Sequence, residues 1–358
     1  MVAKNIKKSR DLYIDFFRGG AVLAIILHHT VFWFGQIISS PSVIRNLSRL
    51  LEVPLFIYLA GCSAKYCHRL DKIFFNLIKI WMKWILFISL TDICYWWITK
   101  NFTITSLLQW LNQCFYSTDT SCLPMLPILP ASMWFMPMFI SVELIGSSLL
   151  SIWHKFNIDD MQLIYVILFL IVGLSYLSLN NGNTWFLLPQ DVCFYGIMYL
   201  IGYLSYKFVR AKKRYYAAAI ALDALIWFVL SRLYGVSPTN LVDAKFPPHI
   251  MYLAASMISV IVCMMLYGRI DFIVEKAKVI RYIRRNSLSY YFSQGIACSI
   301  PYVYICINQQ IIQKYSWKLL LLGAFMFNIF VGITIGSLFS YLLLVIKKLI
   351  LLRKRCNQ

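Results

Sequence analysis

An arginine and a histidine lie eleven positions apart in an apolar stretch near the N-terminus. The stretch reads YIDFFRGGAVLAIILHHTVFW and contains Arg18, His28 and His29. Eleven residues of α-helix make about three turns, so Arg18 and His29 lie on one face, roughly 16 Å apart along the axis. His28 lies about 80° from that face. The spacing therefore predicts that Arg18 and His29 line one cavity.

The residue types indicate which chemistry such a cavity would support. A planar guanidinium suits phosphate, and a histidine can take a proton from a hydroxyl near neutral pH. Gly19 and Gly20 leave room for a ligand to approach the backbone, and Asp15 is placed to orient Arg18. The alternative is that Arg18 reaches lipid headgroups while His29 makes a packing hydrogen bond.

The elements that position these residues are predicted to be membrane helices. The 358 residues are 60% hydrophobic and 13% charged, whereas a soluble domain carries roughly 25% charged residues. The second apolar segment is short for a span, so it could be tilted, broken or partly re-entrant. We predict an all-α, polytopic transmembrane helix bundle of about ten spans, at residues 16–37, 50–65, 73–99, 131–153, 161–178, 188–208, 215–234, 249–268, 287–308 and 317–346.

The distribution of Lys and Arg predicts the orientation of the bundle. Of the 34 basic residues, 24 fall on one set of alternate loops and tails, which places both termini in the cytoplasm. The net charge of +20 then reflects basic loops that face anionic lipid, and we expect no nucleic-acid partner. The first stretch lacks a cleavage site, so it should remain as a span. We predict one domain over 1–358, with short cytoplasmic tails at about 1–12 and 347–358.

Residues 101–130 form the longest predicted outer segment. Three prolines between 124 and 130 predict an irregular loop, because proline removes a backbone donor and fixes φ. Cys114 and Cys122 lie in it and could pair. The ten cysteines of the chain are scattered without a CxxC spacing, so we predict no metal site.

Ordered motifs resemble the acyltransferase-3 family of membrane acyltransferases, which modify cell-surface glycans and lipids. The opening Asp15-Phe-Phe-Arg18-Gly19, followed by His29 eleven residues after the arginine, resembles the family's first-span pattern. Ala60 stands where serine is usual, and Gln294 where the family often has a histidine. The resemblance covers about residues 11–346, and its other segments are residues 53–61, Arg69 on the next inner loop, residues 133–137 and residues 286–291.

The resemblance implies transfer of an acyl group, usually acetyl, from cytoplasmic acyl-CoA to a hydroxyl of a cell-surface or lipid-linked carbohydrate. It implies that His29 and Arg18 are catalytic, with His29 acting as general base or as transient acyl carrier. Arg18 would bind donor phosphate or stabilise a developing oxyanion. Acyl-CoA, usually acetyl-CoA, would be a co-substrate that meets the basic inner face, and no cofactor would be bound permanently.

A wider set of residues is predicted to bind donor or acceptor. Lys79 and Lys83 share a helix face and, with Arg69, could hold the CoA phosphates, or they could extend to lipid headgroups. Glu143, an acid inside a predicted span, could pair with Arg18 or make a structural pair. The remaining candidates are Asp15, Phe56, Trp134, Tyr290 and Gln294.

The outer side of the bundle carries candidates for the acceptor site. Trp134 could wall that site, or it could anchor the helix in the interfacial aromatic belt. Lys245 and His249 lie in a predicted outer loop and could contact a glycan.

A second class of function stays open, namely a transporter or flippase of a lipid-linked or anionic envelope precursor. Arg18, His29 and the buried acids would then form a substrate and proton path. Inverted repeats and paired broken helices would favour it, and we find neither in the sequence. The chain ends soon after its last span, so we expect it to act alone or with a separate extracytoplasmic acyl-transfer partner. Its Ile-, Lys- and Asn-rich usage indicates a bacterium, which predicts the bacterial cytoplasmic membrane as its location.

Overall fold

The computed structural model describes residues 11–66, 69–100, 103–115, 123–132, 134–179, 189–205, 213–241 and 243–356. Over these ranges the chain is helical and contains no β-strand. A helix lies at each of the ten predicted segments. The helices are α1 Leu12–Ile37, α2 Ser42–Leu47, α3 Val53–Ala64, α4 Leu70–Thr99, α5 Ile104–Phe115, α6 Ile128–Ser132, α7 Phe135–Lys155, α8 Asp160–Leu179, α9 Pro189–Ser205, α10 Lys213–Leu233, α11 Ile250–Leu266, α12 Asp271–Lys276, α13 Lys278–Arg285, α14 Ser287–Ile307, α15 Gln310–Lys314 and α16 Trp317–Cys356.

Seven helical segments in the described ranges are long and apolar enough to cross a membrane. α9 and α11 have 17 residues each, which is short for the ~20 residues of a full span. The all-α membrane class is therefore confirmed, whereas the count of ten spans and the cytoplasmic termini stay predictions. The seven segments are Leu12–Ile37, Ser42–Ala64, Leu70–Thr99, Ile128–Lys155, Asp160–Leu179, Arg214–Leu233 and Trp317–Leu349.

The second apolar segment is broken rather than continuous. α2 leads into a 3₁₀ turn at Ser48–Leu51, and α3 begins at Val53 with Pro54 in its first turn. The backbone of Glu52, between them, is non-helical, with φ −101° and ψ −131°. A broken helix is tolerated at membrane depth where protein surrounds it, and Glu52 is only 1% exposed. The break therefore brings a carboxylate into the protein interior.

One prediction about element bounds is wrong. The stretch predicted as an irregular loop contains α5, because the prolines cluster after residue 123 and residues 104–115 hold neither Pro nor Gly. Trp110 Nε1 donates to Ser89 Oγ at 3.1 Å, which packs α5 against α4. The last helix continues to Cys356, past the end of the predicted span at residue 346, and the cytoplasmic tails stay a prediction. The predicted pairing of Cys114 with Cys122 involves side chains outside the described part.

α3 and α9 cross at close range, and this crossing supports the interior of the bundle. A Cβ atom at Gly61 would overlap the carbonyl of Tyr199, and one at Gly202 would overlap the carbonyl of Tyr58. Glycine is needed at both positions because only it lets two helix backbones approach this closely. Tyr58 Oη and Ser205 Oγ are 2.7 Å apart across the same interface.

At each end of the bundle, segments that the charge pattern assigned to the same side of the membrane contact one another. At the N-terminal end of α1, Asp11 accepts a hydrogen bond from Tyr267, and Tyr13 donates to Asp271. At the other end, Leu241 N donates to Asn46 Oδ1 at 3.2 Å. Predicted inner loops thus contact one another, and so do predicted outer loops.

Candidate functional site

His29 lies in the interior of the bundle and has an unused ring nitrogen. Its side chain is half-buried, and its Nδ1 is buried with no hydrogen-bond partner among the described residues. The side chain of Gln294, on α14, lies within hydrogen-bonding range of the ring. A buried polar atom without a partner is costly, so Nδ1 is available for a substrate.

The neighbouring His28 is fully engaged by the protein. Its Nδ1 lies 2.9 Å from Ser48 Oγ, and its Nε2 lies 3.3 Å from Glu52 Oε2. Both partners come from the broken segment between α2 and α3. The centroids of the His28 and His29 rings are 5.6 Å apart. The geometry therefore distinguishes the two histidines as the spacing does, with His29 the one free to react.

Gln294 occupies the place where the family resemblance expects a histidine, and it directly adjoins the candidate base. It is fully buried, and its Nε2 has no partner within the described ranges. Cys298 Sγ lies 3.9 Å from its Oε1. A Cβ atom at Gly295 would overlap Leu129, so α14 packs closely against α6 there. The Gln294 amide thus has an N–H donor near His29 that no described residue accepts from.

Arg18 faces an acid from another helix, as the sequence suggested for Glu143. The charges of Arg18 and Glu143 are within interaction range, yet these two described side chains form no direct ion pair. Arg18 Nε and Glu143 Oε2 are both buried without a hydrogen-bond partner. The hydroxyl of Tyr199 adjoins the carboxylate and lies 2.9 Å from Ser147 Oγ. Arg18 can therefore bind an anion while Glu143 orients it.

Asp15 pairs with a residue that the sequence analysis did not consider. Arg284 Nε lies 2.9 Å from Asp15 Oδ1, and α13, which carries Arg284, packs on the N-terminal half of α1. A Cβ atom at Gly19 would overlap the backbone of Ile280. Asp15 also lies within electrostatic range of Arg18. Asp15 thus lies between Arg18 and the basic helix α13.

Two aromatic candidates pack near the first span. Phe56 makes edge-on contacts with Phe135 and Phe139, at centroid distances of 5.7 and 5.9 Å. Tyr290 is fully buried, and its hydroxyl lies 3.2 Å from Ser337 Oγ. Both side chains pack against an apolar cluster that includes α1. They shape the walls near His29 and Gln294 without presenting a free polar atom there.

Trp134 lies at the end of the bundle where the predicted outer loops meet. Its ring is 5.4 Å from that of Phe246 and 6.2 Å from that of Tyr195. The ammonium of Lys245 lies 5.2 Å from the Trp134 centroid. The structure thus joins two candidates for the acceptor side, Trp134 and Lys245.

The basic candidates for the donor phosphates lie apart from this interior. Lys79 and Lys83 are exposed on α4, whose buried face carries Leu77 and Trp84. Arg69 is exposed and pairs with Asp71, with Nη2 2.5 Å from Oδ2. The structure does not bring these three cations together with Arg18 and His29.

A network around Glu52 was not predicted from the sequence. Lys245 Nζ donates to Glu52 Oε1 at 2.7 Å, and the Tyr252 hydroxyl donates to the same oxygen at 3.2 Å. Burial lowers the pKa of Lys245, and the carboxylate of Glu52 opposes that shift. The only local signal was an acid that precedes Val53-Pro54 inside an apolar segment.

The described residues offer no group of metal ligands, and an apolar cavity lies apart from His29 and Arg18. In the described ranges no three His, Cys, Asp or Glu side chains form a group that could hold a metal. An apolar cavity of about 560 Å³ opens between α4, α14 and α16. It is lined by residues such as Phe87, Ile296 and Phe339, and it includes neither Arg18 nor His29.

Comparison with known proteins gives one match. The model of the acyltransferase-3 family, described as an acyltransferase domain, matches residues 11–346. No curated protein and no solved structure matches. The family match covers nearly the whole chain, so the chain belongs to the acyltransferase-3 family and is a membrane acyltransferase.

Proposed function

We propose that this acyltransferase moves an acetyl group from cytoplasmic acetyl-CoA to a hydroxyl of a cell-surface or lipid-linked carbohydrate, in the cytoplasmic membrane of a bacterium. The observation that carries the proposal is the unpartnered Nδ1 of His29 in the protein interior. Beside it, Gln294 offers a free N–H donor. A base and a donor side by side suit the attack of a hydroxyl on a thioester carbonyl.

Arg18 is proposed to bind the phosphate end of the donor. About 16 Å of helix separates it from His29, which is too far for one small acyl group to contact both. A donor with a phosphate-bearing head and a long pantetheine arm would span that separation. The guanidinium would bind phosphate, and the carboxylates of Glu143 and Asp15, which lie within electrostatic range, would attract it. This assignment supports phosphate binding by Arg18 rather than stabilisation of an oxyanion at His29.

The reaction can proceed by either of two routes through His29. As general base, His29 takes the hydroxyl proton while the hydroxyl oxygen bonds to the carbonyl carbon. The carbon–sulfur bond then breaks, and the proton passes to the thiolate to give CoA. As acyl carrier, Nδ1 of His29 itself bonds to the carbonyl carbon, the carbon–sulfur bond breaks, and the proton of the other ring nitrogen passes to the thiolate to give CoA. The acceptor hydroxyl oxygen then bonds to the carbonyl carbon, the carbon–nitrogen bond breaks, and the hydroxyl proton returns to the imidazole. The free nitrogen serves both routes.

The test uses purified full-length protein in lipid nanodiscs with acetyl-CoA and an extract of envelope glycans. We expect release of the CoA thiol and appearance of acetylated glycan, both lost in His29→Gln while the protein remains folded. Turnover that persists in His29→Gln would contradict the role of His29. Absence of transfer in the wild-type protein with acetyl-CoA and longer acyl-CoA donors would contradict the proposed donor class.

A second measurement separates the two routes. Wild-type protein is incubated with acetyl-CoA and no acceptor, and its intact mass is recorded after rapid quenching. A mass increase of one acetyl group that depends on His29 indicates the acyl carrier. An unchanged mass, together with acceptor-dependent release of CoA, indicates the general base.

A further inference from the structure

Arg49, in the 3₁₀ turn before Glu52, is a buried cation without a counter-ion of its own. Its side chain is 1% exposed. Its Nε and Nη1 have no hydrogen-bond partner in the part of the chain that the structure describes. The guanidinium lies over the ring of Phe32, 4.6 Å from the centroid. A cation–π contact offsets only part of the cost of burying a charge.

The nearest acid is already occupied by other groups. Glu52 Oε1 accepts from Lys245 and Tyr252, and Oε2 faces His28. Asp243 is also within electrostatic range of Arg49, but it is exposed and accepts a hydrogen bond from Asn240. The buried cluster therefore holds one carboxylate and two cations, an excess of one positive charge.

The cluster adjoins the candidate base. The ring of Phe32, over which the Arg49 guanidinium lies, stacks on His28 at a centroid distance of 5.8 Å. His28 in turn contacts His29. Arg49 and Lys245 both lie within electrostatic range of His29. On its other side the cluster meets Trp134, through Lys245. It thus lies between His29 and the end of the bundle where the predicted outer loops meet.

We propose that Arg49 binds an anionic group of the acceptor, a carboxylate or a phosphate, and so places the acceptor hydroxyl at His29. The inference rests on the proposed function, whose acceptor it narrows to an acidic carbohydrate or a phosphate-linked one. Nε and Nη1 each keep a donor without a partner among the described residues, on different edges of the guanidinium, and an oxygen of such a group would accept a charged hydrogen bond from one of them. The anion would also cancel the excess positive charge of the cluster.

The stability of an Arg49 variant distinguishes anion binding from a purely structural role, which predicts that the variant is less stable. A charge that stabilises the fold has partners, and its removal leaves them unsatisfied. The described contacts of Arg49 offer mainly the ring of Phe32. Replacement by a neutral side chain of similar length should therefore leave the thermal midpoint unchanged or raised.

The test is a binding measurement without acetyl-CoA, on purified full-length protein in detergent. The probes are p-nitrophenyl glucuronide, glucose 1-phosphate and the neutral p-nitrophenyl glucoside. We expect wild-type protein to bind at least one anionic probe about tenfold more tightly than the glucoside, as charged hydrogen bonds would give. Arg49→Met should abolish the preference, and Arg49→Lys should retain part of it. Tighter binding of the glucuronide would indicate a carboxylate, and tighter binding of glucose 1-phosphate would indicate a phosphate.

Arg232→Gln is the matched control, because Arg232 also lies over an aromatic ring, at 5.0 Å from Phe228, but is exposed. It should retain the full preference. Equal or absent binding of all three probes by wild-type protein would overturn the inference. So would a preference that survives in Arg49→Met, or a lower thermal midpoint of Arg49→Met with unchanged binding. Since the measurement involves no turnover, its failure is distinct from failure of the proposed acyl transfer.

Discussion

His28 and His29 are neighbours in the chain, but they belong to regions of opposite character. The ring of His28 contacts Ser48 and Glu52 at 2.9 and 3.3 Å, and Glu52 in turn accepts a hydrogen bond from Lys245 at 2.7 Å. Around His29, the imidazole and the amide of Gln294 each keep a buried atom without a partner. Buried polar groups are normally satisfied by the protein itself. The difference supports the proposal that the first region stabilises the fold and the second binds the substrate.

Exchanging each histidine gives the largest expected effect and tests the comparison directly. His29→Ala should lower kcat by about 10²–10⁴-fold, the usual contribution of a general base. His28→Ala should lower the free energy of unfolding by about 1–3 kcal/mol, because Ser48 and Glu52 lose a partner. CoA release and denaturant unfolding of both variants are the measurements. If the two variants have the same profile, the distinction between the regions is wrong.

Glu52→Gln should destabilise the protein strongly. The neutral amide leaves the buried ammonium of Lys245 uncompensated, and loss of one partner of a buried pair costs about 3–5 kcal/mol. Denaturant unfolding in mild detergent measures the loss. Asp71→Asn is the control, since it removes an exposed ion pair and should leave stability unchanged. A stable Glu52→Gln variant would show that the network is not structural.

Arg18→Gln should act through donor binding. Loss of charged hydrogen bonds to phosphate should raise KM for acetyl-CoA by about 10-fold to 100-fold, with a smaller change in kcat. Steady-state kinetics with varied acetyl-CoA separates the two parameters. A fall in kcat of about 10²–10³-fold at unchanged KM would instead assign Arg18 to the oxyanion.

The double variant Lys79→Gln, Lys83→Gln should have the smallest effect. Both ammonium groups are exposed on α4, so we expect them to lie among lipid headgroups, and KM should change by less than about twofold. The same kinetic assay measures it. A clear rise in KM would return these lysines to the donor site, as their shared helix face suggested.

The agreement between sequence and fold was best where the signal is local. All ten apolar segments contain helices, because a run of apolar residues determines burial in lipid without reference to distant residues. The sequence does not predict α5, because the prolines between residues 124 and 130 dominate the pattern of the stretch. Its helix is marked only by the absence of Pro and Gly over 104–115, which is a weaker signal.

The candidate site could be predicted only where its residues share an element. Arg18 and His29 lie on one helix, so their relation follows from helix geometry alone. Glu52 and Lys245 are 193 positions apart, and their pair forms only because the break before α3 and the loop before α11 meet. The same holds for Asp15 with Arg284, which α13 brings to α1.

The sequence by itself determined a helical membrane protein and an Arg18–His29 pair on its first span, because hydrophobicity and helical periodicity act over short distances. The ordered motifs also identified the family. Only the tertiary structure decided which polar atoms are satisfied and which are not. Satisfaction depends on donors and acceptors from helices far apart in the chain. The contacts of His28 therefore distinguish it from His29. In the same way, the structure distinguishes Arg49 from the other 33 basic residues of the sequence, as a buried cation whose Nε and Nη1 have no hydrogen-bond partner among the described residues.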